Sequence, residues 1–73
     1  MKIRIIKPGL VYMEETHTNE IWDKHLKKWD EFLVEKIVPR GTTTDIYLYN
    51  GNILYHVPVD NFEEIKESII PFL

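Results

Sequence analysis

Cysteine is absent from the 73 residues. Its absence excludes disulfide staples, thiolate metal sites and cysteine nucleophiles, and fits a reducing, cytoplasmic compartment. Ser68 is the only serine, so a Ser-His-Asp site would have to recruit it from close to the chain end. No apolar run approaches the roughly 20 residues of a membrane span, and Met1–Gly9, with Lys2, Arg4 and Lys7, is too polar for a signal peptide. Nine basic and twelve acidic residues are interspersed, for a net charge of -3. With no basic block, nothing draws the chain to nucleic acid or to an anionic membrane. His17, His25 and His56 form neither His-x-x-x-His nor His-Glu-x-x-His, so no zinc site is expected. The acid pairs Glu14-Glu15 and Glu63-Glu64 do not suggest a general acid/base site, because neighbours in a strand point to opposite faces and Glu63 has a capping role. Arg40-Gly41-Thr42-Thr43-Thr44 lacks the Gly-x-x-x-x-Gly-Lys spacing of a phosphate-binding loop. No catalytic residue, metal ligand or cofactor is therefore expected.

What is present is a globular composition: 44% apolar and 12% aromatic residues place the chain outside the disordered class. A chain this long makes one domain, residues 1–73, which buries only about 60% of its unfolded surface. Its stability must come from its core, from good local structure or from self-association.

Ile3 and Ile5 alternate with Lys2 and Arg4, which predicts a strand; Pro8-Gly9 is a turn dipeptide, and Leu10 to Glu14 reads as the return strand of a hairpin. Thr16-His17-Thr18-Asn19 groups helix-capping types. Ile21, Trp22, Leu26, Trp29, Phe32, Leu33 and Ile37 then follow helical spacing, with Trp22 and Trp29 central in the stripe and His25 beside them. Glu20–Lys24 and Asp23–Lys27 support the same helix, and Pro39 and Gly41 end it. Asn50-Gly51 between two apolar runs predicts a two-residue hairpin turn. That turn would pair Leu48 with Ile53, Ile46 with Tyr55 and Thr44 with Val57 on one face, and leave Tyr47, Tyr49, Leu54 and His56 on the other. Asp60 and Glu63 form a capping box ahead of Phe62, Ile65 and Ile69, a second helix stopped by Pro71. Aligning Ile3 with Ile46 also aligns Ile5 with Leu48, Leu10 with Ile53, Tyr12 with Tyr55 and Glu20 with Glu63, as a duplicated ββα unit would. The fold expected is α+β, ordered ββαββα: a four-stranded antiparallel sheet with two helices packed on one face.

The second face of that sheet carries the functional expectation. Tyr47, Tyr49, Leu54 and His56, extended by Ile6, Val11 and Met13 from the first hairpin and by Phe72 at the chain end, are too apolar to be left to water and suit partner binding. Ile46-Tyr47-Leu48-Tyr49-Asn50-Gly51, followed by Val57 and the acidic helix start, resembles the hairpin-then-helix pattern of small flagellar FlbD-like proteins and of LytTR-type domains. Size, acidity and the lack of catalytic motifs resemble small phage-encoded inhibitors, including anti-CRISPR proteins. The expected function is a non-enzymatic protein-binding module of the inhibitor or regulator kind, with a protein partner and with homodimerisation through the aromatic face. The alternatives are a nucleic-acid binder stacking bases on Tyr47 and Tyr49, disfavoured by the net charge, and a FlbD-like accessory protein.

Overall fold

The computed structural model describes residues 1–66. Its elements are β1 (Lys2–Ile5), β2 (Gly9–Glu15), β3 (Glu20–Leu26), β4 (Glu31–Arg40), β5 (Thr43–Leu48), β6 (Asn52–Pro58), a single 3-10 turn (Val59–Asn61) and β7 (Phe62–Ile65). All strand pairs are antiparallel, in one seven-stranded sheet of order β3-β2-β6-β5-β4-β1-β7. The expected α+β arrangement of ββαββα, with four strands and two helices, is therefore overturned: the described residues contain no α-helix.

Three connections are hairpins: β2–β3, β4–β5 and β5–β6. The other three, β1 to β2, β3 to β4 and β6 to β7, each cross four places in the strand order. In a flat sheet four places span about 19 Å. The four chain steps from Ile5 to Gly9 reach at most about 14 Å. The sheet must therefore roll, bringing strands four places apart close to one another. Hydrogen bonds gather the three crossings at one end. Trp29 N donates to Ile5 O at 2.7 Å, Ile5 N to Asp30 O at 2.8 Å, and Ile6 N and Lys7 N to Asn61 O at 2.9 and 3.2 Å.

Rolling lets a single sheet bury its own inner face, which explains how the chain manages without helices. Ile3 and Ile5 of β1, Val11 and Met13 of β2, Leu26, Val34, Ile46, Leu48, Leu54 and Val57 form one buried cluster, with Phe32, Ile37 and Phe62 packed against it.

The expected long helix divides into β3, a turn and the first part of β4. Within β3, Ile21, Asp23 and His25 alternate with Trp22, Lys24 and Leu26, a strand period. The turn Lys27–Asp30 closes through Asp30 N to Lys27 O at 3.1 Å, and Lys27 N donates to the Asp30 carboxylate at 2.9 Å. A β-bulge at Glu35 then puts Val34 and Ile37, three residues apart, on one face. The turn and the bulge supply the intervals of three and four that read as a helix. Trp22 and Trp29, central in the apolar stripe of the expected helix, are 38% and 59% exposed.

The capping residues before β3 serve a hairpin loop instead. The Glu15 carboxylate accepts the backbone N–H of His17 and of Thr18, each at 3.0 Å, and Asn19 N donates to Glu15 O at 2.8 Å. The second expected helix becomes the 3-10 turn and β7, in which Phe62 pairs with Ile5 and Glu63 with Arg4. The hairpin expected of β1 and β2 does not form: β1 pairs with β4 and β7, and β2 with β3 and β6. The two halves of the apparent repeat thus have different architectures. Pro39 lies within β4 beyond Glu31–Leu33, the stretch that β1 covers, so β4 is paired there with β5 alone, an edge setting that tolerates proline.

Candidate functional site

The β5–β6 hairpin decides which side chains share the outer face. Its loop has three residues, Tyr49-Asn50-Gly51, not two: Gly51 N donates to Leu48 O at 3.3 Å, and Gly51 has φ +92°. This is a turn followed by a left-handed residue, the usual three-residue solution, and it shifts the register by one. Ile46 therefore pairs with Leu54 and Tyr47 with Ile53. Further along, β6 bulges at Tyr55–His56 opposite Asp45 and absorbs the extra residue, so Thr44 meets Val57 as the sequence reading expects.

The bulge has a polar anchor. The buried Asp45 carboxylate accepts His56 N at 3.2 Å and Arg40 Nε at 3.0 Å. His56 takes φ 59°, sparsely populated for such a residue, and its side chain is exposed beside the ring of Tyr55, with centroids 6.3 Å apart. A bulge commonly re-aims a side chain in this way.

The expected partner-binding residues consequently separate. Leu54 is fully buried in the core and cannot meet a partner. Tyr47 is half-buried on the outer face under the Lys36 ammonium, 4.6 Å from its ring centroid. Tyr49 is exposed at the hairpin tip, and His56 at the bulge. Phe72 lies outside the described residues, as do Ser68, Ile69 and Pro71. Val11 and Met13, expected to extend the face, are in the core.

The outer face is instead built in rows across β3, β2 and β6. His25 pairs with Leu10. Asp23 pairs with Tyr12, which pairs with Tyr55. Ile21 pairs with Glu14, Glu14 with Ile53 and Ile53 with Tyr47. Leu10, Tyr12 and Ile21 are 57%, 55% and 61% exposed; Leu10 and Tyr12 follow each other on one face of β2, and Ile21 lies diagonal to Tyr12 on β3. The Tyr55 hydroxyl donates to the Glu14 carboxylate, and this hydrogen bond, aided by burial, pushes the phenol up to about 12. This hydrogen bond ties β6 to β2. Leu10, Val11, Tyr12, Asp23, Tyr55 and His56 line a cavity of ≈ 180 Å³, well below the roughly 300–1,000 Å³ of small-molecule sites. Among the described residues no group of three or more histidine, aspartate or glutamate side chains could hold a metal ion, and no helix is long and apolar enough to cross a membrane.

Sequence reasoning missed Leu10, Tyr12, Ile21, Asp23 and Tyr55. The alternation Leu10, Tyr12, Glu14 against Val11, Met13 was available, but assigning Ile21 to Ile37 to a helix removed the strand that completes the face.

No family model matches the chain, and neither a curated protein nor a solved structure matches it. The likeness to FlbD-like and LytTR-type proteins needs a helix after the β5–β6 hairpin, where the chain has a 3-10 turn and a strand.

Proposed function

We propose that the chain is a non-enzymatic protein-binding module that docks a partner protein on the outer face of β2, β3 and β6. The observation that carries this reading is the exposure of Leu10 and Tyr12 on one face of β2 together with Ile21, diagonal to Tyr12 on β3. Intramolecular packing leaves these side chains in water, and contiguous apolar surface on a small domain marks interaction sites. Tyrosine suits such a face because it offers apolar area with one polar handle. The carboxylates of Glu14 and Asp23 in the same rows repel phosphate, which counts against nucleic acid as the partner.

The test is affinity capture from the source cell, comparing the native chain with Tyr12→Ala/Ile21→Ser and with Trp29→Ala, a distant exposed aromatic. The reading expects a captured protein that the double variant weakens by about 2 kcal/mol or more and Trp29→Ala leaves unchanged. Capture indifferent to the double variant would overturn it. Sedimentation of the purified chain at several concentrations separates a foreign partner from a second copy, since only self-association makes the size depend on Tyr12 and Ile21 with no other protein present.

A further inference from the structure

Resting on that reading, we infer that the cavity between Tyr12, Asp23, Tyr55 and His56 receives a basic side chain, an arginine or lysine, of the docked protein. Its size, smaller than that of small-molecule sites, suits a single side chain. Its chemistry is that of a cation site: Tyr12 and Tyr55, partners in the β2–β6 register, both line it, with Asp23 opposite Tyr12 on the third strand. Tyrosine faces attract cations, and a carboxylate at the rim supplies the counter-charge.

That counter-charge is available. Among the described residues no ion pair engages Asp23, and the hydrogen bond from Tyr55 reaches only one oxygen of Glu14. The face already shows the same contact elsewhere, where Lys36 lies 4.6 Å from the Tyr47 ring centroid. Among the described residues no cation lies over Tyr12, so an incoming one completes the pattern. A negatively charged group would meet Asp23 and Glu14, and an apolar one would strand the Asp23 carboxylate against it.

Isotope-labelled chain titrated with Nα-acetylarginine amide, Nα-acetyllysine amide and the neutral isostere Nα-acetylcitrulline amide tests this by amide chemical shifts. The two cations should move Tyr12, Asp23, Tyr55 and His56 saturably, and citrulline should not. Asp23→Asn, an exposed change that leaves the fold intact, should weaken the arginine probe about fivefold. Citrulline shifting the same amides equally, or arginine acting mainly at Asp30 and Glu31, would overturn the inference. So would an Asp23→Asn chain that binds arginine as the native one does. If the probes fail while Tyr12→Ala/Ile21→Ser still loses the captured protein, the cavity assignment is wrong and the docking face stands. If capture survives that double variant, both fall.

Discussion

Leu54 and Trp29 exchange the roles that their positions in the sequence suggest. Leu54 sits at the centre of the core, so Leu54→Ala should cost about 2–5 kcal/mol, most of the stability of a domain this small. Thermal melting checks this, and an unchanged midpoint would return Leu54 to the surface. Trp29 stands in the turn Lys27–Asp30 with φ 79°, between the Lys28 ammonium at 4.9 Å and the Arg4 guanidinium at 6.0 Å. A bulky residue with a left-handed backbone costs about 1–2 kcal/mol. Trp29→Ala removes the side chain and keeps the strain, whereas Trp29→Gly removes both. The glycine variant should be more stable than the alanine variant by about 1 kcal/mol in urea unfolding. The reverse order would mean that the backbone there is unstrained.

Glu15 gives a residue-scale pH dependence. Hydrogen bonding from the His17 backbone N–H, then from its ring, with a further bond from Thr18, lowers its pKa from 4.5 to about 2. Folding therefore depresses this carboxyl, and the contribution it makes is complete above about pH 4.5 and lost as the pH falls through about 2. The amide resonances of His17 and Thr18 should follow that titration, and Glu15→Gln should abolish it. A midpoint near 4.5 in the native chain would show that the carboxylate does not hold the loop.

At the scale of elements, the tips of two hairpins brace each other. Thr16 donates from its hydroxyl to Gly51 O at 2.7 Å and from its N–H to the same oxygen at 3.1 Å. A Cβ on Gly51 would stand 3.1 Å from His17 Cε1 on a backbone with φ +92°. Gly51→Ala should therefore destabilise the fold by about 1 kcal/mol or more, measurable by denaturant unfolding. No loss would place the left-handed residue elsewhere in the loop.

These elements also show what the sequence could reveal. The strands over Lys2–Ile5 and Leu10–Glu14 and the hairpin around Asn50-Gly51 were legible, because alternation and turn chemistry are local. The far pairing of Thr44 with Val57 was legible as well. The near pairing was not: the choice between a two-residue and a three-residue loop shifts the register by one, and the bulge at Tyr55–His56 hides the shift by correcting it. That single step moved Leu54 from the surface to the core and Tyr55 from the inner to the outer face. The helix reading of Ile21–Ile37 failed for a related reason. A turn at Lys27–Asp30 and a bulge at Glu35 space apolar residues by threes and fours, while the partners that make β3 and β4 strands lie far away in β2 and β5.

For the whole molecule, the governing fact is that three short connections each step four places along the strand order, past three intervening strands, which forces the sheet to roll and bury one face of itself. On the other face the rolled sheet lines up Asp23, Tyr12 and Tyr55 in one row across three strands, with Tyr12 exposed. Fold and docking surface thus stand or fall together, and one spectrum addresses both. Cross-strand nuclear Overhauser contacts should link Tyr12 to Asp23 on one side and to Tyr55 on the other, with strong sequential Hα–HN contacts through Glu20–Leu26. An unbroken run of sequential HN–HN contacts from Ile21 to Ile37, with no contact between Tyr12 and Asp23, would restore a helix there and remove the row on which the docking face is built.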